Sequence, residues 1–271
     1  MNRRKKTILL FSLALLFLAV VTLSGLFCYE SARKTDFSLK NLMPQIKYPF
    51  GTDWMGRNML ARTLTGLSLS IRIGMCTAGI SALLALVLGI MSAVLGKKVD
   101  ALISFVIDTL MGIPHILLLL LISYAFGKGF KGVVLGVALT HWPSLARVIR
   151  GEVMQLKESE YIQIAARLGQ SKLRIAWRHM VPHLFPQFVI GLILMFPHAI
   201  LHEASITFLG FGLSSEQPAI GIILSESMRY LITGKWWLAL LPGMMLVLTV
   251  VLFDVAGNSL RRILDPYSAQ E

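Results

Sequence analysis

Six apolar runs dominate this chain, each near the ~20 residues that cross a bilayer core; they fall at 8–28, 71–96, 101–126, 132–149, 187–211 and 238–257. Hydrocarbon offers a backbone N–H or C=O no water to bond to, so a run that crosses alone must satisfy those groups within itself, as an α-helix. The sequence therefore predicts an all-α integral membrane protein with six transmembrane helices. Composition agrees. Only 15% of residues are charged and 55% are hydrophobic, against ~25% charged in a soluble domain. Pro114, Pro143, Pro197 and Pro242 punctuate the runs, which a bundle tolerates where neighbours or cavity water satisfy the freed carbonyls. Gly74, Gly79, Gly89 and Gly96 are placed to let helices approach closely. No internal repeat or low-complexity linker divides the chain, so the spans form one membrane domain.

The net charge of +12 suggests nucleic acid, but no basic stripe alternates with aromatics in a soluble domain. The cations sit instead at the ends of apolar runs, where they set topology. One side of the membrane would receive Arg3, Arg4, Lys5 and Lys6, then Lys97 and Lys98, then Arg147, Arg150, Lys157, Arg167, Lys172, Arg174 and Arg178, then Arg261 and Arg262. That bias predicts both termini in the cytoplasm. The first run is longer than the ~7–15-residue core of a signal peptide and no small-x-small site follows, so it is read as a retained span. The resulting division is an N-terminal tail and first helix, 1–28; an extracytoplasmic and interfacial segment, 29–70; a transmembrane core, 71–258, with a cytoplasmic loop at 150–186; and a cytoplasmic tail, 259–271. Within 29–70, NMLARTLTGLSLSI has helical apolar spacing and is read as an interfacial helix. Cys28 and Cys76 have no metal or redox spacing.

No phosphate-binding loop is encoded. The Gly-Lys pairs at 96–97, 127–128 and 234–235 are followed by Lys, Gly and Trp, not by the Ser or Thr that such a loop needs. No HExxH motif or Ser/His/Asp arrangement suggests hydrolysis, so the chain is read as non-catalytic. The most distinctive hydrophilic stretch is EYIQIAARLGQSKLRIAWRHMVPHLFP, 160–186. It reads as two short helices broken at Gly169, with small residues Ala165 and Ala166 beside the break. Cationic Lys172, Arg174, Arg178 and His179 follow, and then Pro182 and Pro186 end the helix before the membrane. Spacing alone leaves two readings open, a docking surface and a solvated loop that orients the protein.

This stretch resembles the "EAA" loop of binding-protein-dependent ABC importer permeases of the dipeptide/oligopeptide/nickel type. Glu160, Tyr161, Ala165, Gly169, His179 and Pro182 fall in register with that loop, with Gln163 and Ile164 at the first two positions of the triplet itself. Four further segments are similar in the same order. FGTDWMGRNMLART (50–63) resembles GTDxxGRDxxSR, with Asn58 and Ala61 as departures. Asp108 and Pro114 resemble a D…P pattern in the third span. SITFLGFGL (205–213) resembles the LSFLGLG turn. FDVAGNSLRRILDP (253–266) resembles GDxLRDxLDP, with Asn258 and Arg262 as departures. The resemblance implies one N-terminal helix plus the five-helix core of a type I importer, in a bacterial cytoplasmic membrane. It also implies partners: a homologous B-type permease completing the pore, two P-loop ATPases that carry ATP and Mg and seat on the 158–182 loop, and an extracytoplasmic substrate-binding protein. No cofactor is implied for this chain and no nucleic acid; membrane lipid is its surroundings.

Ionisable groups within spans are expensive and often functional. Asp108 and Asp254 lie near cytoplasmic ends and are read as ion pairs or caps. His198 and His202 stand one turn apart on one helix face, with Glu203 adjacent. These three are candidates for the translocation path, the histidines as transient metal contacts at most, since imidazole suits Ni, Cu and Zn; hydrogen bonding across helices is the other reading. PHAILHEASITFLGFG and THWPSLAR (140–147) resemble the nickel-importer branch, which implies nickel or a metal chelate as cargo, with di- or oligopeptides as the alternative. A proton-coupled carrier using Asp108, Glu203 and Asp254 is a reading from another class, for which inverted repeats would be expected.

Overall fold

The computed structural model describes residues 3–264, and every long element is a helix. The helices are α1 (Arg3–Phe27), α2 (Tyr29–Arg33), α3 (Met59–Val94), α4 (Lys97–Gly112), α5 (His115–Ala125), α6 (Gly129–Lys157), α7 (Glu160–Arg167), α8 (Lys172–Ile175), α9 (Val181–Phe208), α10 (Ile220–Leu231) and α11 (Trp237–Leu264). Five helical runs are long and apolar enough to cross a membrane. A sixth candidate, α4 with α5, is bent by 102° at its break.

Packing decides whether that bent pair crosses. α3 and α6 lie side by side and run in the same direction: a Cβ at Gly89 would stand 2.8 Å from the Ala146 carbonyl oxygen and 3.0 Å from Ile149, and Lys157 Nζ donates to the Ala93 carbonyl at 3.0 Å. Two parallel neighbours require the chain between them to travel back. At one end of that return Asp100 meets Arg150, Nε to Oδ1 at 2.6 Å. At the other, Ser123 Oγ donates to the Phe211 carbonyl at 3.0 Å, and Gly132 approaches the Ser123 carbonyl. The pair is thus one broken crossing and not a re-entrant loop, and the six expected spans are present. The break falls at Ile113 and Pro114, as the fixed φ and missing N–H of proline favour.

Of the small residues expected at helix contacts, Gly74 packs on Ile200 and Gly89 on α6, whereas Gly79 and Gly96 face open space. Two apolar clusters fill the bundle. One joins α3, α6 and α9 through residues such as Ala82, Val137, Ile149 and Leu184. The other joins α1, α3 and α11 through Leu18, Val21, Leu67, Ile71 and Phe253.

The 29–70 segment differs from its sequence reading. NMLARTLTGLSLSI is not a separate interfacial helix but the first third of α3, which runs 36 residues without interruption, about 54 Å at ~1.5 Å per residue. Asn58 caps it by accepting from the N–H groups of Leu60 and Ala61. Its hydroxyls bond inward: Thr65 Oγ1 donates to the Gly25 carbonyl at 3.1 Å and Ser68 Oγ to the Thr22 carbonyl at 2.8 Å. Those bonds fasten α1 to α3.

Just before α3, the GTDWMGRNMLAR segment closes a charge network. Buried Asp53 accepts from the N–H groups of Met55 and Arg57 at 2.9 Å. It pairs with Arg57 Nε at 2.7 Å and with Arg62 Nη1 at 2.5 Å. Arg62, 2% exposed, also reaches Glu226 of α10 at 2.9 Å. The Asp, both arginines and the tight turn at Gly56 (φ +74°) are what the motif encodes. The end of the C-terminal motif, Asp265 and Pro266, lies outside the described residues with the rest of 265–271.

Two substitutions test this architecture. Asp53→Ala strands Arg62 as a buried, unpaired cation and should destabilise by roughly 3–5 kcal/mol, read as a lowered melting temperature in detergent. Gly89→Val overpacks the α3–α6 contact, for a loss of about 1–3 kcal/mol; an unchanged melting temperature would show that α6 is not held there.

Candidate functional site

The insert between α6 and α9 has two faces. On α7, Ile162 and Ala165 are buried and join the same apolar cluster as Val153, Leu156, Ile175, Ala176 and Met180. Its outer face leaves large apolar groups in the open: Ile164, Leu168, Leu173 and Trp177, the last 77% exposed. Burial of one face holds the insert on the bundle; the other presents an apolar surface.

Its turn is sharply specified. Gly169 has φ +80°, Gly169 N–H donates to Ala166 C=O and Gln170 N–H to Ala165 C=O, the paired bonds of a Schellman cap. Ser171 then caps α8 by accepting from Arg174 N–H. Tyr161 stacks edge-on against His179 with ring centroids 6.3 Å apart. Glu160 opens α7 in its first turn, the end at which a carboxylate is favoured by the helix dipole. The prolines do not end a helix as expected. Residues from Lys172 to Phe208 form one helical run, in which the π-turn Ala176–Met180 precedes Pro182 in the first turn of α9. Pro182 and Pro186 thus both lie within the run, and the widened turn before Pro182 gives its ring room.

The second candidate region is an open pocket of about 290 Å³ on the side of the bundle. His198 and His202 of α9 both line it, together with His141 of α6 and His115 at the start of α5. The ring centroids of His115, His141 and His202 lie 4.5–5.0 Å from one another. His141 Nδ1 is 2.8 Å from the Val137 carbonyl, which only accepts, so that nitrogen carries the proton. Glu203 is not brought to the histidines. One residue on from His202 is a turn of ~100° around the helix, and Glu203 is fully buried, accepting from Thr207 Oγ1 at 3.0 Å. Asp108 pairs with Arg147, and Asp254 accepts from Asn258 Nδ2 at 3.1 Å. The sequence reading did not single out His115; the one trace it leaves is a histidine directly after the proline that breaks a span.

A broken third crossing, a helical insert after α6 and a long first helix leaning on the core define the fold of a type I ABC importer permease. The solved inward-facing MetNI methionine ABC transporter matches it with a TM-score of 0.61 over 76% of this chain and 98% of that one, at 16% identity. The chain belongs to the family described as binding-protein-dependent transport system inner membrane component, whose model matches residues 85–268. Among its relatives are the dipeptide transport system permease protein DppC of Bacillus subtilis, 29% identical over 93% of this chain and 79% of that protein. The oligopeptide transport system permease protein OppC of the same organism is 30% identical over 93% and 84%. A putative peptide transport system permease protein of Brucella suis is 33% identical over 98% and 89%. The relatives named here are described by peptide transport, and none by nickel.

Gly169→Arg keeps the buried face of the insert but puts a side chain into the open space around the turn and adds ~1–2 kcal/mol of left-handed backbone strain. Membrane content by immunoblot should be unchanged and transport lost, while Gly169→Asn, which tolerates that backbone, should retain transport. Normal uptake by the arginine variant would remove the insert's outer face from the transport machinery.

Proposed function

We propose that this chain is the membrane-spanning permease subunit of an ATP-driven, binding-protein-dependent importer and forms half of its translocation pore. The observation that carries this is the family match from residue 85 to 268, which takes in the α4–α5 break, the insert and the last three helices. A homologous permease completes the pore, and a substrate-binding protein delivers cargo from outside. Two P-loop ATPases, which hold the ATP and Mg this chain has no motif for, seat on the insert through Glu160, Tyr161, Ala165, Gly169, His179 and Pro182 and the apolar groups around them. Both termini face the cytoplasm, in accord with the cations at the insert end of the bundle.

The cargo we assign is a short peptide, because dipeptide and oligopeptide permeases align over nearly the whole chain. Nickel or a metal chelate is retained as a second reading on one observation, the histidine-lined pocket. Labelled dipeptide and labelled nickel uptake, compared in cells with and without the gene, separate these cargoes. Dipeptide accumulation should fall to background without the gene. It should persist with a protonophore as long as ATP is maintained and stop when ATP is exhausted. Uptake that collapses with the proton gradient at constant ATP would instead assign the chain to the proton-coupled carriers.

A further inference from the structure

Between α1 and the core lies an open apolar slot of about 510 Å³. Phe11 and Leu23 of α1 mark its two ends, and Ile71 and Met75 of α3, Phe196 of α9 and Phe253 of α11 form its walls. Among the lining residues only Thr22 carries a hydroxyl, and its Oγ1 already donates to the Leu18 carbonyl at 2.8 Å. A buried water needs about two to four polar partners, so nothing in this slot calls for water or for a polar ligand.

The slot is a wedge. At the Leu23 end α1 is fastened to α3: Ser68 Oγ donates to the Thr22 carbonyl at 2.8 Å, Thr65 Oγ1 to the Gly25 carbonyl at 3.1 Å, and a Cβ at Gly25 would collide with Ser68. Towards Phe11 the helices part. Gly79, one turn beyond Met75 on the same face of α3, has nothing within 4 Å of where a Cβ would stand. Phe11 and Leu23 are 12 residues apart, about 18 Å of helix, close to the ~15 Å that one leaflet contributes to a ~30 Å hydrocarbon core.

Cations stand beyond the open end. Lys5 and Lys6 precede Phe11 by about 8–9 Å of helix and are exposed. The start of α11, at Trp237, lies beside Gly51 at the fastened end, so α11 finishes at the open one. There exposed Arg261 follows Ala256, another lining residue, by about 8 Å. Two helices thus bring basic side chains to one height, just past the hydrocarbon depth of the slot.

We propose that the slot binds one acyl chain of an anionic phospholipid from the leaflet at that end, with the phosphate held among Lys5, Lys6 and Arg261. The site goes beyond the permease assignment and depends on neither the cargo nor the partner subunits. Its dimensions select a lipid chain over a protein segment. A helix is ~10–12 Å across and needs ~20 residues to cross, so it would ride over a slot one leaflet deep. The charges select the headgroup, since each Lys or Arg near the surface attracts anionic lipid. The chain fills the gap that the splay of α1 leaves in an otherwise close-packed bundle.

The test purifies the chain in mild detergent with the subunits that accompany it, adds equimolar phosphatidylglycerol and phosphatidylcholine of matched chains, and counts retained lipid by native mass spectrometry. About one phosphatidylglycerol per copy of this chain is expected, and a diazirine on its acyl chain should crosslink to α1 and α3 within the slot. The triple variant K5Q/K6Q/R261Q should lower retention at least ~10-fold and erase the preference for phosphatidylglycerol. Ala19→Trp and Met75→Trp fill the slot from opposite walls without touching a charge, and each should abolish retention. Lys97→Gln, at the same end but on α4 beside α6, should leave it unchanged. Equal retention of the two lipids overturns the proposal, as does undiminished retention by a tryptophan variant whose melting temperature matches the parent. Crosslinks from the slot to a second polypeptide overturn it too, by placing a protein there. Should both tryptophan variants fail to fold, the crosslinked positions in the parent decide: diazirine adducts confined to residues outside the slot overturn the proposal.

Discussion

The parallel packing of α3 against α6 is the constraint from which much of this bundle follows. Two neighbouring helices that run the same way oblige the chain between them to cross back, and the sequence available for that return contains Gly112 and Pro114. The return is therefore a broken crossing, anchored at one end by Asp100 and Arg150 and at the other by Ser123. The break in turn starts α5 at His115 and points that residue into the bundle beside α6. A straight third helix would have no new helix start there. Close approach at Gly89, where a Cβ has no room, thus bears on a pocket formed by other elements.

The bundle also shows how polar groups are kept in an apolar setting. Threonines bond back to their own helix: Thr77 Oγ1 donates to the Ile73 carbonyl and Thr140 Oγ1 to the Gly136 carbonyl, both at 2.9 Å. The Asp53–Arg62–Glu226 network lies near one end, with enough opposite charge to balance its two arginines. The histidine pocket is less fully satisfied, since Nε2 of both His115 and His141 has no hydrogen-bond partner. Three imidazoles from three separate helices are gathered there.

The crossings were legible in the sequence because lipid leaves backbone polar groups only one local solution. Their ends were not. The stretch from Asn58 to Ser70 carries an arginine and several hydroxyls, so it resembles a helix at an interface; its real partners, Gly25, Thr22 and Glu226, lie 40 or more residues away along the chain. The turn at Gly169 was readable for the opposite reason, that its hydrogen bonds are local. His198 and His202 share a face by periodicity alone, whereas His115 and His141 join them only through tertiary contact, which no window of sequence contains. Glu203 shows the limit of adjacency: being next in the chain to His202 places it on a different wall.

The unbroken run from Lys172 to Phe208 has a mechanical consequence. It joins the apolar surface of the insert to His202 through a single helical run of 37 residues, about 55 Å at ~1.5 Å per residue, whereas the insert meets α6 through a short turn at Glu158 and Ser159. Force applied at Trp177 would be carried along α9 towards His202. A tilt of about 3° over the ~40 Å between Trp177 and His202 displaces that imidazole by about 2 Å relative to His141. Such a movement changes the width of the pocket, so the helical run links the opening of the pocket to load at the loop.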